Sequence, residues 1–393
     1  MDYNFDEIIP REGTDSVKWD MVPTNNLLAM WVADMDFKTA PAILEALNKR
    51  VDHGILGYTL TSASFFDAIV SWWKKKHNYK ISNEWIIPVP GILPAISAII
   101  RSTTIKGDNI LLLTPIYDHF FSSINNCDRN ALESELIYRD GNYSIDFEDF
   151  EEKAADPKTK LMLLCNPHNP TGRVWTKDEL IQIGDICAKH DVLVVSDEIH
   201  ADLVYDGFQH TPFASLGTDY SLNCFTCCSP SKPFNLAGVQ VAYVFTENEK
   251  LLKGVQDILE LQETAFLNGF AGSALVAAYT EGEDWLENLK IYVYENYIYL
   301  NEFLSKNLPS LKVTPLEATY LVWIDIKELK ISSQTFSENL KDAQGLWLNA
   351  GTMYGKAGEG FLRMNIGCPR ALLKEGLERL KQYIENQAAD LNQ

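Results

Sequence analysis

Through the middle of the chain, short apolar runs of strand character alternate with amphipathic stretches. Runs at 85–89, 109–114, 161–165, 192–196, 223–228 and 239–245 have strand length and turn-forming residues at their ends. Helical spacing appears between them. In residues 40–53, Ile43, Leu44, Leu47 and Val51 recur at helical intervals and Gly54 supplies a stop. In residues 62–77, Phe65, Phe66, Ile69, Trp72 and Trp73 mark an inward face, and Lys74–Lys76 sit at the dipole-favoured end. Residues 177–189 repeat the pattern. Strands alternating with helices predict an α/β fold built on a large, mostly parallel sheet. After about residue 282 the texture changes: a long aromatic helix over 285–304 leads into strand, strand, helix, strand, helix. That predicts a smaller α+β domain. The expected division is an N-terminal segment over 1–40 that packs with the small domain, a large domain over 41–282, and the small domain over 283–393.

Composition narrows the function classes. The 393 residues predict two or three domains at roughly 100–200 residues each. Charge is 34 Lys+Arg against 54 Asp+Glu, a net −20. Nucleic acid and anionic membranes select basic surfaces, so neither is expected as the main partner. No run approaches 18 apolar residues, and the N-terminus lacks the basic and apolar regions of a signal peptide. The seven Cys are scattered apart from Cys224, Cys227 and Cys228, which suits a reducing compartment. A cytoplasmic enzyme acting on a small molecule is expected. Cys224 and Cys227 form a CxxC, but inside a strand pattern, which reads as core.

The chemistry gathers by position. Four unusual segments each follow the carboxyl end of an expected parallel strand: TPIY at 114–117, NPHNPTG at 166–172, SDEIH at 196–200 and SPSKPFN at 229–235. Ligands of open α/β sheets bind outside those ends. Tyr117, Asn169, Asp197, Ser229 and Lys232 are therefore expected to converge. An aromatic plate, an amide, a carboxylate, a hydroxyl and a lysine suit a planar, cationic, phosphorylated ring that forms a Schiff base. Pyridoxal 5′-phosphate (PLP) is such a ring. Gly91, Ile92 and Leu93 open a helical pattern after a strand, and free N–H groups there would bind the phosphate.

NPHNPTG, SDEIH and SPSKPFNLAG together resemble the fold-type I, class I/II aminotransferase-like PLP enzymes. MWVADMDF at 30–37, GYT at 57–59 and FLRMNIGCPR at 361–370 narrow the resemblance to the MalY/PatB-type cystathionine β-lyases, or C–S lyases. It extends over nearly the whole chain. The resemblance implies a PLP-dependent transferase-like fold and a role for each matching residue. Lys232 matches the Schiff-base lysine, and Asp197 the partner of the pyridine nitrogen. Asn169 matches the residue at the ring's 3′ oxygen, Tyr117 the stacking ring, and Ser229 a phosphate ligand. Arg363 matches the arginine that grips the substrate carboxylate, with Asn169 beside it. Tyr58 matches a residue that crosses a homodimer interface to the neighbouring phosphate. Two positions depart from the transaminase pattern. Gln240 stands where many transaminases have a phosphate-binding Arg, and His200 where they have Tyr; the lyase branch resembles this chain at His200.

The implied reaction is α,β-elimination on cystathionine or another S-substituted cysteine, giving a thiol, pyruvate and ammonia, with Lys232 as base. An aminotransferase would use the same residues and is the first alternative. A PLP-binding regulatory module is the second; such proteins usually carry a DNA-binding domain, and here the first motif begins by Trp31.

Overall fold

The computed structural model describes residues 3–21 and 26–390, so the remaining parts of the expected 1–40 and 283–393 segments lie outside the described residues. Seven strands form the large sheet: β1 (Ile86–Val89), β2 (Asn109–Thr114), β3 (Asn130–Glu135), β4 (Thr159–Cys165), β5 (Leu193–Asp197), β6 (Cys224–Cys228) and β7 (Ala242–Phe245). Their spatial order is β1-β7-β6-β5-β4-β2-β3. β7 runs antiparallel to both its neighbours, and the other six share one direction. Helices cover both faces. Ile96, Ile99 and Ile100 of the helix Ile92–Thr103 pack into one core, and Phe65, Ile69, Trp72 and Trp73 of the helix Ala63–His77 pack into the other.

A second sheet holds β8 (Lys312–Val313), β9 (Leu321–Asp325), β10 (Asn349–Ala350) and β11 (Phe361–Asn365), in the order β8-β9-β11-β10 and antiparallel throughout. The helix Glu283–Asn307 precedes it. Near the N-terminus, Leu28–Ala29 pairs in parallel with Leu346–Trp347.

Several local expectations need correction. The hydrophobic pattern does not predict β3: its Asn-Ala-Leu-Glu-Ser-Glu sequence is polar because it is an edge strand with water on one side. β7 begins three residues later than the apolar pattern suggests, because Ala237–Val239 form a 3-10 turn and Gln240 is left-handed (φ 55°). In the helix Pro41–His53 only Ile43 of the four apolar residues is buried. Leu44 and Val51 face outward and extend into exposed Ile55, Leu56 and Leu60. Gly54 does stop that helix, with φ 75° and its N–H donating to Val51 O. All seven cysteines are buried and unbridged, and the CxxC pair lies within β6. Among the described residues no helix is long and apolar enough to cross a membrane.

Residues 30–37 run between the two sheets without regular structure, anchored by a buried ion pair. Lys18 is 1% exposed; its Nζ lies 2.7 Å from Asp36 Oδ2 and donates to Asp34 O at 3.2 Å. Asp36 also accepts from Arg11 Nη1 at 2.8 Å and Trp19 Nε1 at 2.9 Å. Lys18→Ala leaves a buried carboxylate one partner short, so urea unfolding should show a loss of roughly 3 kcal/mol, the low end for a broken buried pair because Arg11 remains. A loss under about 1 kcal/mol, the scale of an exposed pair, would show that the anchor contributes little.

Candidate active site

Five strand ends and the small sheet place the expected residues. β4 runs into residues 166–172, a turn closed by His168 N–H to Arg173 O and Gly172 N–H to His168 O. His168 is buried against Thr171 Oγ1 (2.9 Å) and Leu113 O (3.3 Å), and burial pushes its imidazole down to about 3, so it is a neutral structural group. The turn presents Asn169, whose Oδ1 accepts from Arg363 Nη1 at 3.1 Å.

β5 ends on Asp197. The Ile199 N–H donates to its Oδ1 at 3.2 Å, and burial pushes the carboxyl up to about 7. His200 follows; burial, then the positive charges of Lys232 and Arg363, push it down to about 3. Its Nδ1 is buried without a hydrogen-bond partner. β6 ends before Ser229, and the next turn carries Lys232, whose Nζ donates to Ala33 O at 2.6 Å. Burial and the neighbouring Arg363 charge lower the Lys232 amine to about 8. After β2, Tyr117 precedes the helix Asp118–Asn125, and its ring lies parallel to that of His119 (5.1 Å, 4°). After β1, Gly91 caps the helix Ile92–Thr103. Its φ of 179° is ordinary extended backbone, and a Cβ there would meet only Pro94 at 3.5 Å, so the fold alone does not demand glycine.

These residues share one cavity of about 500 Å³. Its wall contains Gly91, Ile92, Leu93, Tyr117, Asn169, Asp197, His200, Ser229 and Lys232. Arg363, in β11, sits just behind. It is 4% exposed; Nη2 donates to Trp31 O at 2.8 Å, the Tyr354 ring lies 4.9 Å from its Cζ, and Nε is unpartnered.

Ser229 lines the cavity with its hydroxyl already engaged, and Tyr58 stands outside the cavity of its own chain. Ser229 Oγ has two acceptors in reach, Val241 O at 2.7 Å and Ser231 Oγ at 2.8 Å, and it accepts the Ser231 N–H at 3.0 Å. Its hydroxyl is thus wired into its own loop. Tyr58 does not reach the cavity within one chain: it is fully exposed beside a shallow hollow shared with Leu56, Phe266 and Leu267.

The sequence reading missed Ala33, Cys165 and Ser231 as cavity residues. Cys165 lies opposite Asp197 in the β4–β5 register, so both end the sheet in the same row, a pairing that no local signal in the sequence announces. Gln240 lines the cavity too, beside Val241.

The chemistry of this donor set is specific. A buried carboxylate with no cation in hydrogen-bond contact faces a cavity shared with a lysine whose amine approaches neutrality near physiological pH. A helix N-terminus and Ser231 rim the same space. That combination accommodates a cationic planar ring bearing an anionic group.

The class I and II aminotransferase family model matches residues 26–380, so the chain belongs to that family. It is 41% identical to "Cystathionine beta-lyase PatB" of Bacillus subtilis, across 96% of this chain and 99% of that protein. It is 34% identical to "Protein MalY" of Escherichia coli, across 96% and 98%. The crystal structure of cystalysin from Treponema denticola, which contains a pyridoxal 5′-phosphate cofactor, superposes with a TM-score of 0.96 at 34% identity, covering 98% of this chain and all of that one.

The raised Asp197 carboxyl has a measurable consequence for the protein stripped of bound ligands. A carboxyl raised in the fold to about 7 holds its proton when the unfolded chain, near its ordinary 3.8, has lost it. Stability therefore falls as pH rises from about 4 to about 7. Asp197→Asn removes this dependence. The variant should match the parent near pH 4 and exceed it by a few kcal/mol at pH 8 in urea titrations, since each tenfold change in proton affinity is worth about 1.4 kcal/mol. A stability difference that does not change with pH would show that Asp197 is not raised.

Proposed function

We propose that this member of the class I and II aminotransferase family is a PLP-dependent carbon–sulfur β-lyase acting on cystathionine or other S-substituted cysteines. One observation carries the reading: Lys232 and the cation-free carboxylate of Asp197 share a buried cavity rimmed by a helix N-terminus. Likeness to cystathionine β-lyases favours elimination over transamination, which the same residues would serve. A PLP-binding regulatory module would not need the substrate-gripping geometry around Arg363.

The residues present fit the cofactor. Asp197 would face the pyridine nitrogen, Asn169 the 3′ oxygen, Tyr117 the ring face, and Lys232 the aldehyde carbon. The N–H groups after Gly91, with Ser231 and Gln240, would meet the phosphate; His200 adds an unpartnered buried nitrogen. When bound, PLP supplies an electron sink that stabilises negative charge at the substrate's Cα.

Three of the chain's own groups then act on the substrate and its cofactor. Arg363 takes the substrate carboxylate in two parallel bonds, trading its contacts to Asn169 and Trp31. Asp197 would keep a positive charge on the ring nitrogen by pairing with it. Lys232 Nζ would accept the Cα proton; its lowered affinity for protons suits a base working near neutral pH. The Cβ–S electron pair leaves with sulfur, which takes up a proton as thiol. The remaining three-carbon enamine gains water and ends as pyruvate and ammonia. On this reading residues 41–282 form the cofactor-binding domain, residues 283–393 with 1–40 form the smaller one, and the enzyme works in the cytoplasm.

Borohydride treatment of the PLP-loaded protein should fix the cofactor on the peptide containing Lys232. Lys232→Ala should lose pyruvate release from L-cystathionine by about three orders of magnitude or more, as when other central bases are removed. An unmodified Lys232 peptide after loading would end this assignment. Keto-acid-dependent amino transfer without pyruvate would favour the aminotransferase.

The assembly we propose is a homodimer with shared sites. Tyr58, Leu56 and Leu60 stand exposed on a loop beside Phe266, an apolar patch that suits a second copy of the chain. There Tyr58 would donate to the partner's phosphate, where Gln240 offers no charge. Tyr58→Ala and Lys232→Ala proteins, each impaired, should regain part of their activity when mixed under conditions that exchange subunits, because one site per mixed dimer is intact. No recovery after demonstrated exchange would place each site in a single chain.

A further inference from the structure

Behind the cavity wall lies a polar assembly that the reaction above does not use. Along residues 196–203 the side chains divide. Asp197, Ile199 and His200 line the cavity. Glu198 and Asp202 turn away from it, and both are buried, at 0% and 5% exposure. Glu198 accepts from Ser196 Oγ at 2.8 Å, Phe213 N at 3.0 Å and His210 Nε2 at 2.8 Å. Asp202 accepts from Trp72 Nε1 at 3.1 Å and His77 Nε2 at 2.9 Å. The two imidazoles meet edge to face, with centroids 5.3 Å apart at 79°. The result is a buried row, Glu198–His210–His77–Asp202.

Buried carboxylates are costly unless each oxygen finds a donor. For Asp202, burial pushes the proton affinity up, and the donations of His77 and Trp72 with the nearby Lys76 charge more than reverse it. Both carboxylates belong to the segment that delivers Asp197 and His200. Glu198 is one peptide unit from Asp197, and Asp202 is two residues past His200. The backbone is also held, by Asn166 N–H to Asp197 O and Glu198 N–H to Cys227 O, both at 2.9 Å. Losing either imidazole would leave a carboxylate to rotate or shift in search of water, and the shift would pass directly to the cavity residues.

We propose that His210 and His77 are positioning residues: by clamping Glu198 and Asp202 from behind, they fix Asp197 and His200 against the cofactor ring. This rests on the functional reading above. His210 comes from the loop after the segment and His77 from the last turn of the helix Ala63–His77, so the clamp ties three elements together.

The test uses the PLP-loaded full chain with L-cystathionine. His210→Ala should lower kcat about tenfold to a hundredfold, the cost of a small misplacement of reacting groups, with KM within about threefold because Arg363 is untouched. The pH midpoint of the cofactor's absorption change should move, since Asp197 no longer holds its register. His210→Gln, which restores an N–H donor toward Glu198, should recover most of both. In cofactor-free protein, backbone hydrogen exchange over residues 196–203 should quicken in His210→Ala and return with His210→Gln. Lower thermal stability with unchanged kcat, absorption and exchange would reduce the row to a structural role and overturn the proposal. Should His210→Ala not fold, His77→Ala carries the same criteria from the Asp202 end. If the unsubstituted chain takes up no PLP and releases no pyruvate, the functional reading fails, while the exchange measurement still decides whether the imidazoles order the segment.

Discussion

The peptide carbonyls of residues 31–37 are the constraint on which the site depends. This segment lies between two sheets but belongs to no strand, so its backbone acceptors must find side-chain donors. They do so on every side. Trp31 O accepts from Arg363 and Asn349, and the Val32 and Asp34 carbonyls both accept from Asn365. Ala33 O accepts from Lys232 and Tyr320, and Met35 O from Arg11 and Asn235. Asn235, in the lysine loop, also bonds Met35 N–H and Phe37 O. One irregular strap thus sets the distance between the lysine of the large sheet and the arginine of the small one.

Burial of charge supplies the reactivity. A carboxyl raised to about 7 and an amine lowered to about 8 have one main cause, exclusion of water, and the Arg363 charge adds to the second. On the reading we propose, a bound ring with a protonated nitrogen would answer the first group and consume the second. The ligand-free protein bears the cost of both buried groups, and the dense packing around β4, β5 and β6 holds them in place. The buried row behind the cavity follows the same logic: its carboxylates tolerate burial because each has an imidazole.

The surface around Tyr58 contrasts with this closed interior. The helix Pro41–His53 buries one of its four patterned apolar residues and leaves Leu44 and Val51 exposed. Within one chain, that face is a packing failure; with the apolar loop after Gly54, it is continuous with the surface to which we assign the second subunit.

Six of the large sheet's strands, its main helices and the carriers of the cavity were legible in the sequence, because burial on both faces writes continuous apolar runs and strand ends announce themselves by Pro, Gly and Asn. The edge strand β3 was not legible, since one wet side erases the apolar pattern. Nor was the outward face of the helix Pro41–His53, since periodicity reports an apolar stripe without saying what covers it. Lys232, Asp197, Asn169 and Tyr117 could be named from motif and position. Ser229 could be named but not its commitment to Val241 O, and Gly91 could be named but not its relaxed backbone. Ala33, the Cys165–Asp197 row and the paired imidazoles were beyond reach. They join residues separated by tens to hundreds of positions, and such contacts follow from sheet order and strand register, which local sequence does not encode.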